Sequence, residues 1–122
     1  MKNSCITVLA NKDYIHHFEK IHNDLRGLGK YNGDIVLLTD LKTNCSQIEK
    51  LNDEKIIIAR LDKIKFTKKT NKELNKIKNS RNKSKPFQWH KLNLFDNYFK
   101  QWEFIFYLDI NMKIRGNINN IL

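Results

Sequence analysis

Proline and glycine are scarce here. One proline and four glycines are spread over 122 residues, which excludes a collagen-like repeat and a Gly/Pro-rich linker. Cysteine is nearly absent. Cys5 and Cys45 stand far apart with no CxxC partner, a spacing that fits neither a disulfide framework nor a zinc site. They read as reduced, buried thiols. No apolar stretch approaches the roughly 20 residues of a membrane span, and "CITVLA" is too short for the apolar core of a secretory signal. The expectation is a cytoplasmic protein with no membrane span. Two phosphate cradles are also missing. No GxGxxG follows the first apolar run and no GxxxxGK[ST] occurs anywhere, which speaks against a Rossmann dinucleotide site and a P-loop.

What is present is a balanced chain carrying one basic segment. The net charge is +10, from 23 basic and 13 acidic residues. Residues 63–85 hold ten of the basic residues and one acid, Glu73, so the remainder is almost neutral. The segment reads as a solvated helix or loop, and the Lys/Asn/Ile bias of the whole chain weakens any function drawn from lysines alone. A hydrophobic fraction of 40% suits a single folded domain over residues 1–122, since domains cluster at roughly 100–150 residues.

Four short apolar runs stand out: "CITVLA" (5–10), "DIVLLTD" (34–40), "KIIIARL" (55–61) and "EFIFYLD" (103–109). They scarcely alternate, as expected of parallel strands covered on both faces. Between the first two, Tyr14, Phe18, Ile21, Leu25 and Leu28 recur at helical spacing, with Asn11 or Asp13 to cap the start and Gly27 or Gly29 the end. "TNCSQIEKL" predicts a short helix with Ile48 and Leu51 inward. Pro86 opens a further helix, with Trp89, Leu92, Phe99 and Trp102 on one side and Phe95 beside them. The order predicts an α/β fold, a mostly parallel sheet with flanking helices.

In such a sheet, ligands bind at the carboxyl ends of the strands. Those ends offer Asn11, Asp13 and Tyr14, then Thr39 and Asp40, then Asp62, then Asp109 and Asn111. Residues i and i+2 at a strand end share a face, so Asp109 and Asn111 can reach one ion. Both offer oxygen, the ligand type for Mg²⁺ or Mn²⁺. One full charge is too little for an all-protein cage, so a diphosphate must bring further oxygens. The bland alternative is that Asp109 caps a turn. Likewise Tyr14 reads equally as core and Lys91 as a surface lysine.

"HKLNLFDNYFKQWEFIFYLDINMKIRGNINNIL" resembles the heart of glycogenin-like and galactinol-synthase-like glycosyltransferases of the GT-A fold. Their pattern runs T-K-L-x-x-(F/W)-x-L-x-x-Y-x-x-(V/I)-x-(Y/F)-L-D-x-D, then "N-I-D-x-L". The opening "ITVLANKDYIHHFEKIHNDLRGLG" is similar to the family's first strand, T-N-x-x-Y turn and following helix. The resemblance spans residues 5–61 and 86–122. It implies a Rossmann-like GT-A half-domain that binds a nucleoside-diphosphate sugar, a UDP-sugar, with Mn²⁺ or Mg²⁺. By position, Asn11 and Tyr14 match residues around the nucleotide base and Lys91 the lysine that reaches the diphosphate. Asp109 matches the first acid of the D-x-D motif, and Asn111 stands where the second acid would. Asp109 and Asn111 are thus the implied metal ligands. No catalytic residue is assigned.

The resemblance also implies a second half beyond Leu122, carrying the acceptor site and a metal-binding histidine. His16, His17, His22 and His90 all precede the motif. The chain is therefore read as truncated. Its implied partners are a nucleotide-sugar donor, an unknown glycan or protein acceptor, and either a second copy or the missing half. Three alternatives stay open. One is a catalytically inactive remnant. Another is a nucleic-acid-binding module using residues 63–85, with steep salt dependence but only Phe66 for stacking. The third is a receiver-like domain using Asp13 and Asp62.

Overall fold

A computed structural model of the chain describes residues 2–77 and 86–122. The four apolar runs become strands β1 (Lys2–Leu9), β2 (Asp34–Thr39), β3 (Ile56–Arg60) and β4 (Trp102–Leu108). They form one all-parallel sheet in the order β3-β2-β1-β4. The chain steps outward from β1 to β3, then crosses back to lay β4 on the other side of β1. Such a reversal of strand order opens a crevice at the carboxyl ends of the two strands that flank it. Here those strands are β1 and β4.

Period-two alternation sends the strands' side chains to two cores. Ile6, Val8, Ile35 and Leu37 belong to one, under helix α1 (Phe18–Arg26) and helix α2 (Ser46–Glu49). Cys5, Val36, Leu38 and Ala59 belong to the other, where Phe99 and Trp102 cover them. Both faces of β1 and β2 are therefore buried, which is why their sequences read as unbroken apolar runs. Cys5 and Cys45 are free and buried, as expected.

The first helix is shorter than its apolar stripe. Phe18, Ile21 and Leu25 are buried, but Tyr14 is 37% exposed and Leu28 62% exposed. A 3-10 turn at Ile15–His17 precedes the α-helix and buries Ile15 in place of Tyr14. Gly27 ends the helix, so Leu28 lies past it. Asn11 does serve the entry, its Oδ1 accepting from the Asp13 N–H at 3.0 Å and its carbonyl from Tyr14 and Ile15. Gly33, before β2, is required because a Cβ there would collide with the Tyr31 ring.

Part of the basic segment forms helix α3 (Lys68–Asn75), capped by Thr67, with no buried residue. Residues 78–85 of that segment lie outside the described residues.

The stretch after Pro86 departs most from expectation. It is a 3-10 helix, Pro86–Phe95, followed after Asp96 by another, Asn97–Gln101. A 3-10 helix has three residues per turn, so i and i+3 eclipse. Its inward ridge is His90 and Asn93, both buried. Leu92 and Phe95, themselves three residues apart, lie on another ridge and are 39% and 84% exposed.

Two polar clusters tie the amino-terminal edge of the sheet. The Trp102 indole N–H donates to Asp34 Oδ2 at 2.9 Å, spanning from β4 across β1 to β2. Asp53, before β3, receives Arg26 Nε and His22 Nε2 on one oxygen, both at 2.7 Å. Burial alone would raise the Asp53 carboxyl. The hydrogen bonds from Arg26, His22 and the Lys55 backbone outweigh it and hold the group far below the usual carboxylate range. No helix among the described residues is long and apolar enough to cross a membrane.

Candidate functional site

The crevice between β1 and β4 is built by register. Val8 pairs with Leu108, so the next residues in each chain leave the sheet side by side. On one side is the turn holding Asn11 and Tyr14, with the Tyr14 N–H on the Asn11 carbonyl at 3.1 Å. On the other is Asp109, whose carbonyl accepts from the Met112 N–H at 2.9 Å to close a β-turn. The turn replaces the extended backbone expected at 109–111, so the strand rule that would set Asp109 and Asn111 on one face does not apply there. Asp109 and Asn111 are exposed and Ile110 between them is buried.

Lys91 arrives from the 3-10 helix, its ammonium 5.6 Å from the centre of the Tyr107 ring. An ammonium over an aromatic face is attracted by the ring quadrupole. Tyr107 in turn meets Asp109. Burial pushes the Tyr107 phenol up to about 12, and the neighbouring Asp109 carboxylate adds to the rise. Lys91 and Asp109 are thus both neighbours of one tyrosine. Tyr14 stacks on His17, the ring centres 6.5 Å apart. No hydrogen bond or ring contact among the described residues joins the Asn11–Tyr14 turn to the Lys91–Tyr107–Asp109 group. The strand register alone sets them beside each other.

Among the described residues, no group of three His, Cys, Asp or Glu side chains is placed to hold a metal ion. One carboxylate and one amide oxygen at 109 and 111 fit a hard cation only if it is shared with other oxygen donors.

Two residues that sequence reasoning passed over shape the neighbouring strand ends. His90 Nε2 donates to the Thr39 carbonyl at 2.9 Å. Asn93 Nδ2 donates to the Asp62 carbonyl at 3.0 Å. The 3-10 helix is therefore bolted to the ends of β2 and β3 by its polar ridge. The only advance signal was a His and an Asn three apart amid apolar residues.

Asp40 and Asp62 follow those strands. Asp40 Oδ1 accepts from the Lys42 and Thr43 N–H groups and from the Thr43 hydroxyl. Burial opposes ionisation there, but these bonds prevail and keep its carboxyl below the ordinary range. Asp62 Oδ1 accepts from the Lys63 N–H at 2.8 Å. Beside them opens a cavity of about 570 Å³, lined by both acids, by Lys42, Lys63 and Asn71, and by Phe66, Phe87 and Trp89.

No family model matches the chain, and neither a curated protein nor a solved structure does.

Proposed function

We propose that the β1–β4 crevice binds a nucleoside-diphosphate sugar, a UDP-sugar, as the donor site of a glycosyltransferase-like protein of GT-A type. One observation carries the reading. The strand order puts the carboxyl ends of β1 and β4 together, and Lys91 and Asp109 are both neighbours of Tyr107 there. A cation and an anion that share one tyrosine as neighbour suit a diphosphate and its metal.

The roles follow from chemistry. Lys91 meets phosphate as a point charge. Tyr14, partly exposed on the adjoining turn, offers its ring to the base, and Asn11 offers an amide. Asp109 and Asn111 share a Mn²⁺ or Mg²⁺ ion with the diphosphate. The metal supplies Lewis acidity to the departing nucleoside diphosphate. Since Asn111 carries no charge, the ion binds well only when nucleotide is present.

Titration calorimetry of the full chain with UDP in the presence of Mn²⁺ tests this. Binding in the millimolar range or tighter, at least tenfold weaker in Asp109→Asn, supports it. No heat at about 10 mM UDP, where a millimolar site would be nearly filled, overturns it.

A further inference from the structure

The cavity at the ends of β2 and β3 is a separate compartment. It is lined from the loops after β2 and β3, from α3 and from the 3-10 helix, and shares no residue with the Asn11, Tyr14, Lys91, Asp109 group. At about 570 Å³ it falls within the range of small-ligand pockets. Its walls are unusually aromatic for this chain. Phe66 and Trp89 meet edge to face, centres 5.5 Å apart, and Phe87 stacks on buried His90 at 4.7 Å. The His90 and Asn93 bonds to Thr39 and Asp62 fix this wall against the strand ends before any ligand arrives.

The polar groups decide the ligand class. Asp40 and Asp62 are acceptors. The Asn71 amide and the rim lysines are donors. A cationic ligand would be served by acceptors alone, and the net charge of +10 repels it. An anionic ligand would be served by donors alone and would face two carboxylates. A neutral ring carrying several hydroxyls satisfies both sets, since each hydroxyl donates and accepts. Its C–H faces match aromatic rings, whose faces are negative. The Asp40 carboxylate is preorganised for this, because its loop bonds all fall on Oδ1.

We infer that the Asp40–Asp62–Trp89 cavity is a binding site for a neutral saccharide ring, distinct from the β1–β4 crevice. The inference stands whether or not the crevice takes a nucleotide.

The test is amide and indole NMR on the full ¹⁵N-labelled chain, titrated separately with glucose, galactose, maltose and uridine. The two tryptophans report differently. Trp89 lines the cavity, while Trp102 is buried with its N–H on Asp34. The expected result is a saturable shift of the Trp89 indole with at least one saccharide in the millimolar range, and an unmoved Trp102. Asp62→Asn, an exposed and conservative change, weakens that binding about tenfold, as loss of a hydrogen bond to a charged acceptor does. Asp109→Asn leaves it unchanged. Absence of any shift at about 50 mM saccharide, where a millimolar site is full, overturns the inference. So does a response to uridine but to no sugar, or loss of sugar binding in Asp109→Asn.

Discussion

His90 Nε2 lies 2.9 Å from the Thr39 carbonyl oxygen, and both residues are buried. The carbonyl can only accept, so this nitrogen carries the proton. The bond joins segments 51 residues apart in the chain and seats the whole 3-10 helix that delivers Lys91. Replacing His90 by leucine removes one of the two donors on the Thr39 carbonyl, which keeps the Leu61 N–H at 3.1 Å, and takes a neighbour from the Asn93 amide. The expected cost is about 1 kcal/mol, read by urea unfolding. His90→Gln, which keeps a donor, should recover part of it. A leucine variant as stable as the parent would show that the bond contributes nothing.

Asp53 supplies the acid sensitivity. Its folded-state carboxyl lies far below the unfolded value. A depressed carboxyl contributes stability that is fully present above the unfolded pKa of about 3.9 and is lost as pH falls toward the folded value. Asp53→Asn should therefore destabilise the protein by about 2–3 kcal/mol at pH 7, because Arg26 and His22 lose their shared acceptor. The gap between variant and parent should shrink below about pH 4. Thermal melts from pH 7 down to pH 2 measure it. A gap that stays constant across that range would assign the effect to packing instead.

Trp102 braces the same amino-terminal edge from β4. Its indole N–H reaches Asp34, and the Lys2 ammonium sits 5.3 Å from the ring centre and 3.5 Å from the same carboxylate. Trp102→Phe keeps an aromatic ring but deletes the donor. A loss of about 1–2 kcal/mol is expected, measured by denaturant unfolding with the m-value unchanged.

Tyr107 reports on Asp109. Phenol absorbance followed with pH should show one tyrosine ionising near 12, absent in Tyr107→Phe. Removing the neighbouring negative charge with Asp109→Asn should lower that value, since a nearby anion disfavours phenolate. An unchanged titration in Asp109→Asn would mean the two side chains do not interact in solution.

Much of this was legible in the residues. β1 and β2 are covered on both faces and so appear as bare apolar runs, whereas β4, the run before Asp109, is an edge strand and only partly covered, against expectation. Tyr14 falls outside the α1 stripe because the 3-10 turn at Ile15–His17 shifts the phase before the α-helix begins, and Leu28 because the helix ends at Gly27. After Pro86, Trp89, Leu92 and Phe95 do fall on one ridge of the 3-10 helix, but the ridge that faces the sheet carries His90 and Asn93, whose polar side chains give no apolar signal. The pairing of β4 with β1 was not visible either. Parallel strands joined by long crossovers leave no local mark of their neighbours. The importance of Tyr107 depends on that pairing and on Lys91 reaching over it.

Paramagnetic broadening by Mn²⁺ addresses the crevice most directly. With UDP and substoichiometric Mn²⁺ added to the ¹⁵N-labelled chain, the amides of residues 10–12 and 109–112 should broaden together, while those of 66–71 remain sharp. Mn²⁺ alone should produce far less. Equal broadening without UDP, or broadening that spares 109–112, would contradict a nucleotide-dependent metal site between β1 and β4.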